Sequence, residues 1–423
     1  MQSVIVIGAG VAGLAAAKKL SSSGVHVTIL EAQDRIGGRV HTIRDPRFPI
    51  PIELGAEFLH GKPREIWDIV KSENLITGSL EGDNWCSAGH VMKKCNDFWP
   101  RWERTARQIK QGKSYPDQSF SQFLENLKVE PETKEAAVEF VEGFNAARAD
   151  LIGMQFLAQV QENADRISGA MQFRILAGLD NAVHSLSRFD HACVDVRLNT
   201  IVDEIDWSPG HVRAAGIHAD GAVVTLPLGV LQAGQVRFSP ALPEKQSAAN
   251  QLIMGHVVKI IICFDSPFWE ERGITRPSFI HARGEKVPTW WTTRPVVTPI
   301  LVGWAGGPPA EDLGLKADSI ILSAATESLA HAFKMTPAAL ESRIRTAVVK
   351  DWQAEPFSLG AYSYIPVGAI TAPITLAEPV ANTLFFAGEA TNTDGASATV
   401  HGAIATGYRA ADQILSAERR HAA

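Results

Sequence analysis

Val4-Ile5-Val6-Ile7-Gly8-Ala9-Gly10-Val11-Ala12-Gly13, then Leu14 to Leu20, then Val25-His26-Val27-Thr28-Ile29-Leu30-Glu31, decides the fold. Val4 to Ile7 is a continuous apolar run, the pattern of a strand buried on both faces. The glycines stand as GxGxxG between that strand and a run of helix formers. Gly8 permits a tight turn and Gly10 lets a backbone approach a pyrophosphate. Gly13 lets helix and strand pack closely, so Val11 and Ala12 open a helix whose N-terminus faces an anion. Ser21-Ser22-Ser23-Gly24 stops the helix, and Glu31 ends the second strand, where a carboxylate can accept hydrogen bonds from a ribose diol. A ribose phosphate would be repelled there. The bland alternative is a glycine-rich structural turn with Glu31 as a solvated strand end.

The other end of the chain repeats this logic. Thr383 to Ala387 reads as a strand, Gly388-Glu389 and a small-residue loop follow, and a helix is expected from Val400 to Leu415. Residues 65–185 read as mostly helical, with aromatics around Trp99 and Trp102 and a capped stretch from Ser119 to Leu127. Val194 to Leu198 and Val212 to Ala214 alternate like strands, and Asp220-Gly221 is a hairpin signal before Ala222-Val223-Val224. Ile320 to Leu329 and Ala338 to Val349 read as helices. The expected architecture is α/β, a Rossmann-like domain (1–64, 186–258 and 376–423) interleaved with an α+β domain (65–185 and 259–375).

Composition excludes several classes. The 423 residues are 45% hydrophobic and 20% charged, enough apolar surface for a large core. Forty Lys plus Arg against 46 Asp plus Glu leave a formal charge of -6 with no basic block, so neither a nucleic-acid nor a membrane surface is expected. Cys86, Cys95, Cys193 and Cys263 form no CxxC, so no zinc ribbon is expected, and four scattered thiols fit a reducing compartment. No apolar run approaches a bilayer span, and no basic stretch precedes Val4 as a leader would require. A cytoplasmic protein is expected.

Beyond Glu31 lies Ala32-Gln33-Asp34-Arg35-Ile36-Gly37-Gly38-Arg39, with a guanidinium close to the same pyrophosphate. GxGxxG, this E-x-x-x-R-x-G-G-R stretch, Glu53-Leu54-Gly55-Ala56-Glu57-Phe58-Leu59-His60-Gly61 and Ala387-Gly388-Glu389 together resemble the flavin-dependent amine oxidase superfamily. That superfamily includes polyamine oxidases, monoamine oxidases and lysine-specific histone demethylases. The resemblance implies FAD, with Gly55 and Ala56 beside the flavin and Glu389 at its ribityl chain. Thr399 and Val400 would face its pyrimidine end, and the backbone of Val202, in a strand from Asn199 to Asp203, would hold its adenine. Ala361 stands where monoamine oxidases bond the flavin through cysteine, so FAD is expected to be non-covalent. Thr399 replaces the second tyrosine of the usual aromatic cage. The histone demethylases' long helical insertion has no room here, so no chromatin role is expected.

Lys259 interrupts the apolar run Val257-Val258-Lys259-Ile260-Ile261-Ile262. A buried unpaired ammonium is costly, so this lysine either snorkels from a strand edge or has a purpose. The resemblance gives one: a lysine holding a water against flavin N5. It also sets Trp352 and Tyr362 as walls of a substrate cavity, which otherwise read as core aromatics. His60 would line that cavity or be structural. Glu57 would meet a second ammonium of a polyamine or be a salt-bridged loop acid. The implied reaction is oxidation of an amine, polyamine favoured, by hydride transfer to flavin N5. Imine hydrolysis and reoxidation by dioxygen to hydrogen peroxide would follow. The alternatives are an L-amino-acid oxidase or related oxidoreductase, with Arg148 or Arg174 holding the carboxylate, and a redox-silent flavin-binding module. No metal is expected, and the motifs leave the oligomeric state open.

Overall fold

The computed structural model describes residues 1–88, 91–95, 116–190 and 192–421. Two sheets organise the chain. The first has five parallel strands in the order Val194–Arg197, His26–Leu30, Ser3–Ile7, Gly221–Val224 and Leu384–Phe386. Alternation along the central strand sends Val4 and Val6 into one core and Ile5 and Ile7 into another. That is why the sequence runs apolar without a break. Helix Val11–Ser21 covers one face and packs on the C-terminal helix Val400–His421. Gly407 permits the contact, since a Cβ there would lie 2.1 Å from the Ala12 carbonyl oxygen.

The second sheet has seven strands, in the order Ile344–Asp351, Val257–Phe264, Ile300–Gly306, Thr289–Thr292, Pro277–Ala282, Asp83–Ala88 and Val91–Lys94. Only the pairing of Pro277–Ala282 with Asp83–Ala88 is parallel. Val258, Ile260, Ile262 and Phe264 face a large core beneath helix Asp318–Phe333. Val257, Lys259, Ile261 and Cys263 take the opposite face.

Several expectations are corrected. Residues 65–185 also supply strands: Asp83–Ala88 and Val91–Lys94, and Thr77–Ser79 with Gln172–Ile175 beside Leu59–His60. Sheet pairing there overrides weak local preference. Asp220-Gly221 is not a hairpin. The turn lies earlier, at Ala215-Gly216, both at positive φ, and Gly221 leaves that ribbon for the parallel sheet. Asp220 instead accepts the Gln2 and Ser3 amides. The helix expected over 338–349 is confined to Pro337–Glu341, and the β-branched run that follows is strand Ile344–Asp351. Ser119 does cap helix Phe120–Glu125, in a reciprocal box with Gln122. Trp99 and Trp102 lie outside the described residues.

The expected boundary at 64/65 does not coincide with a change of core. Ile66, Ile69 and Val70, with Ile175, Leu179 and Val183, pack in the same cluster as Val4 and Leu14. Nor are there four free thiols: Cys86 and Cys95 are disulfide-bonded across the base of the Asp83–Lys94 hairpin, which removes that argument for a reducing compartment.

Gly13 tests the first βα turn. A Cβ there would lie 2.0 Å from the Gly8 carbonyl oxygen and 3.1 Å from Val6. Gly13→Ala should cost ~1–3 kcal/mol through overpacking and lower the Tm by a few degrees in a thermal melt.

Candidate active site

A single cavity of about 660 Å³ runs from the GxGxxG turn to the second sheet. At one end Gly8, Gly10, Val11, Ala12, Glu31, Ala32 and Val202 line it. Gly8 sits at φ +102° to make the turn. A Cβ on Gly10, or on Gly388 across the cavity, would meet no protein atom within 4 Å, so both leave open space toward the cavity. Glu31 is buried and oriented by two amides, Ala9 N–H to Oε2 at 2.6 Å and Gln33 N–H to Oε1 at 2.9 Å. Burial pushes its carboxyl up, against those amides. Gly13 does not line the cavity; it packs helix against strand. Val202 is buried in the connection between Val194–Arg197 and Glu204–Ser208, not in a strand as expected.

The middle is held by Glu389. Its carboxylate accepts Arg39 Nη1 at 2.8 Å, the Ser363 hydroxyl at 2.7 Å and the Ala398 amide at 3.0 Å. Arg39 lines the cavity, but the same nitrogen also donates to the Ala361 carbonyl at 2.9 Å. The guanidinium expected near a pyrophosphate thus serves as a strut between distant chain segments. Thr399 caps the C-terminal helix, its hydroxyl accepting Gly402 N–H at 3.0 Å, and with Val400 it presents that helix start to the cavity.

The far end is an aromatic chamber. Trp352 is buried and donates from its indole to the Leu54 carbonyl at 3.0 Å. Gly55 allows that approach, since a Cβ there would stand 2.0 Å from the Arg39 carbonyl oxygen and 3.1 Å from the Trp352 ring. Ala56 lies beside it on the wall. The Tyr362 hydroxyl donates to the Phe144 carbonyl at 2.8 Å, and burial pushes its pKa up. Trp304 donates to the Gly143 carbonyl at 2.8 Å and lies 5.7 Å from Trp291. His60 stands edge-on to Phe144 at 5.4 Å. Burial pushes His60 down to about 4, and likewise His281 and His401, so all three are neutral at ordinary pH.

Lys259 is 1% exposed on the cavity side of the second sheet. Its strand is paired on both sides, which excludes the strand-edge reading. The ammonium donates to Glu57 Oε2 at 2.6 Å and to the Gly55 carbonyl at 3.2 Å. Glu57 Oε1 meets Arg174 at 2.7 Å and accepts the Trp291 indole N–H at 3.1 Å. Burial pushes the Glu57 carboxyl up, but Arg174 and Lys259 outweigh it and hold it below the usual range. Glu57 is therefore the salt-bridged acid and not a free partner for a substrate ammonium. Neither arginine considered for a substrate carboxylate lines the cavity: Arg174 is bound to Glu57, and Arg148 pairs at the surface with Asp150 and Glu311.

Sequence reading missed Phe140, Phe144, Phe279, His281 and the Arg174–Glu57 pair. The spacing of Phe140 and Phe144 on helix Pro131–Asn145, and of Phe279 and His281 on a strand, carries a one-face signal. Nothing local marks Arg174.

The cavity suits FAD. Two glycines leave room along a path that begins at an oriented carboxylate and passes a helix N-terminus. Residues 11–80 and 101–415 match the family model described as flavin containing amine oxidoreductase. Polyamine oxidase 4 of Oryza sativa subsp. japonica is 31% identical, over 97% of this chain and 88% of its own length. Lysine-specific histone demethylase 1 homolog 3 of Arabidopsis thaliana is 28% identical over 97% of this chain but only 30% of its own. A wild-type putrescine oxidase structure bound to putrescine has a TM-score of 0.83 at 20% identity, covering 98% of this chain and 99% of that one.

Gly10→Leu should leave the Tm of the FAD-free protein near that of FAD-free wild type, because a Cβ there meets no protein atom within 4 Å, while the purified protein carries little FAD. Full FAD content, read from absorbance after denaturation, would refute the cradle.

Proposed function

This chain belongs to the flavin containing amine oxidoreductase family, an oxidoreductase acting on amines with FAD as its cofactor, and we propose that its substrate is a polyamine and its FAD non-covalent. The observation that carries this reading is one continuous cavity joining the glycine cradle to an aromatic chamber, with Lys259 on its wall. Bound there, FAD would supply the two-electron acceptor for oxidation at the carbon next to nitrogen; hydrolysis of the iminium product would give a carbonyl compound and an amine, and dioxygen with protons would take the electrons on as hydrogen peroxide.

The protein's part is binding, orientation and electrostatics. Gly8, Gly10 and the start of helix Val11–Ser21 would seat the pyrophosphate, and Glu31 the adenosine ribose. The helix start at Thr399 and Val400 would face the ring's electron-rich end. Trp352 and Tyr362 would wall the site, and Lys259 would hold an ordered water against the ring. No free cysteine among the described residues lines the cavity, and Ala361 offers no thiol, so acid denaturation should release FAD intact.

The chamber favours a neutral amine. Its charged groups are paired internally and its histidines are uncharged. The outer part is lined by Glu132, exposed on helix Pro131–Asn145, and by Glu139, which is paired with Arg283 at 2.8 Å, leaving Glu132 to meet a further ammonium. That arrangement supports a polyamine over a monoamine. A peroxide assay on monoamines, di-, tri- and tetra-amines and L-amino acids tests it. Turnover confined to amino acids, or peroxide from none of them, would overturn it.

Lys259→Met keeps the apolar stem and removes the charge. It should fold, bind FAD and lose ~10²-fold or more in amine turnover, the scale of losing a positioned polar group. Stopped-flow rates should place the loss in flavin reduction, reoxidation or both. The pH profile has a sign as well. With His60 neutral above about 4, kcat/KM should rise with pH as the substrate amine, pKa ~10, loses its proton. His60→Gln should leave that limb in place; a displaced limb would mean that His60 titrates in the working range.

A further inference from the structure

The reading above uses Glu57 and Arg174 only as paired charges, yet both are buried, and Glu57 joins Arg174 to Lys259. Each Glu57 oxygen takes one cation, Oε2 the Lys259 ammonium and Oε1 the Arg174 guanidinium. Arg174 is fixed further by donating to the Thr292 carbonyl at 2.9 Å and by lying over the Phe58 ring at 4.8 Å. Neutralising Lys259 requires only one carboxylate. A second buried cation is therefore an added cost that the Lys259–Glu57 pair does not explain.

We propose that Glu57 and Arg174 are positioning residues that clamp the Lys259 ammonium at the cavity wall and give the buried cluster a net positive charge. Two cations against one carboxylate leave one positive charge in a low-dielectric setting beside the cavity. That charge favours the electron density a flavin gains on reduction, and raises its midpoint potential. Without Arg174 the cluster is neutral. Without Glu57 two cations are left with no anion between them, and the ammonium becomes the easier one to deprotonate. Two other charged groups face this cluster. Lys350, opposite Lys259 on the neighbouring strand, is paired with Glu355. Glu53 accepts the Leu179 amide and the Thr42 hydroxyl, and burial pushes it up to about 7. Near pH 6 Glu53 is mostly neutral, and the net charge stands.

The inference rests on Lys259 serving the flavin, as in the preceding reading. Its test uses bound FAD without any amine, so it can fail or succeed whatever the substrate. Dye-equilibrated reduction of the holoenzyme near pH 6 should give Arg174→Gln a lower midpoint potential than wild type. Arg174→Lys, which keeps the charge, should stay close to wild type. An unchanged potential in Arg174→Gln, or an equal drop in Arg174→Lys, overturns the proposal. If Arg174→Gln does not fold, Glu57→Gln decides. Measured in a Glu53→Gln background, which removes the Glu53 step near pH 7, its bound-flavin spectrum should show an ionisation that is absent when Glu57 is restored and absent from the Glu57→Gln/Lys259→Met double variant. No new ionisation, one that persists in the double variant, or a Glu57→Gln protein that neither folds nor holds FAD would reduce the cluster to a structural strut and overturn the proposal.

Discussion

An ammonium taken wholly out of water sets the terms for the rest of this structure. Lys259 sits inside a sheet at 1% exposure, and no arrangement of apolar neighbours could tolerate it. Removing one partner of such a pair costs about 3–5 kcal/mol, because the other charge stays buried. The chain must therefore bring Glu57 from a loop after the first strands, and Arg174 from a strand more than a hundred residues later, to one point. That convergence fixes where the Gly55 carbonyl and the Trp291 indole lie, since both bond within the same cluster. The segment carrying Gly55 to His60 is thereby pinned between the two sheets, where the cavity passes.

The cradle depends on a different kind of constraint, the absence of side chains. Gly13 and Gly407 are absent-Cβ positions that draw helices onto the first sheet and onto each other. Gly10 and Gly388 are absent-Cβ positions that leave space. The same residue type closes the protein interior in one place and opens a ligand path in another. Glu389 joins these regions, because its carboxylate receives donors from Arg39, Ser363 and Ala398, three stretches far apart in sequence. A cavity assembled from chain ends and middle is rigid only if such cross-links exist.

What could be read from sequence follows from how local each signal is. The first strand, turn and helix were legible because apolar run, glycine spacing and terminal acid lie within 28 residues, Val4 to Glu31. The C-terminal strand and helix were legible for the same reason. Lys259 stood out because its neighbours were wrong for it, which is a local contrast. Its partners were not legible: Glu57 had two readings and Arg174 was considered for a different ligand, since ion pairing across a fold leaves no mark on either segment. Arg39 was expected near a pyrophosphate for its nearness to Glu31, but its partner lies 350 residues away at Glu389. The strands within 77–94 and the turn at Ala215-Gly216 escaped because sheet partners, not local propensity, decide them. The run after Glu341, expected to be helical, carries β-branched residues and becomes a strand through its pairing with Val257–Phe264.

Charge is graded along the cavity, and the gradient bears on what can enter. At the cradle end Glu31 holds its carboxylate against two amides, which leaves oxygen lone pairs to accept further donors. At the junction, below the Glu53 ionisation near pH 7, the cluster carries on the proposed reading one net positive charge. In the chamber the histidines have lost their charge to burial. Carboxylates reappear at the exposed outer wall on helix Pro131–Asn145, Glu139 paired with Arg283 and Glu132 beside it. A cation moving inward therefore leaves its attractive partners behind and meets a positive cluster at the end of its path. On the proposed reading this sorts the nitrogens of one substrate. Those that stay near the carboxylates keep their protons, and the one that reaches the junction must shed its own. An amine without its proton has a free lone pair to stabilise the carbon that gives up a hydride. The arrangement that disfavours the ammonium at depth thus selects the protonation state that the oxidation requires.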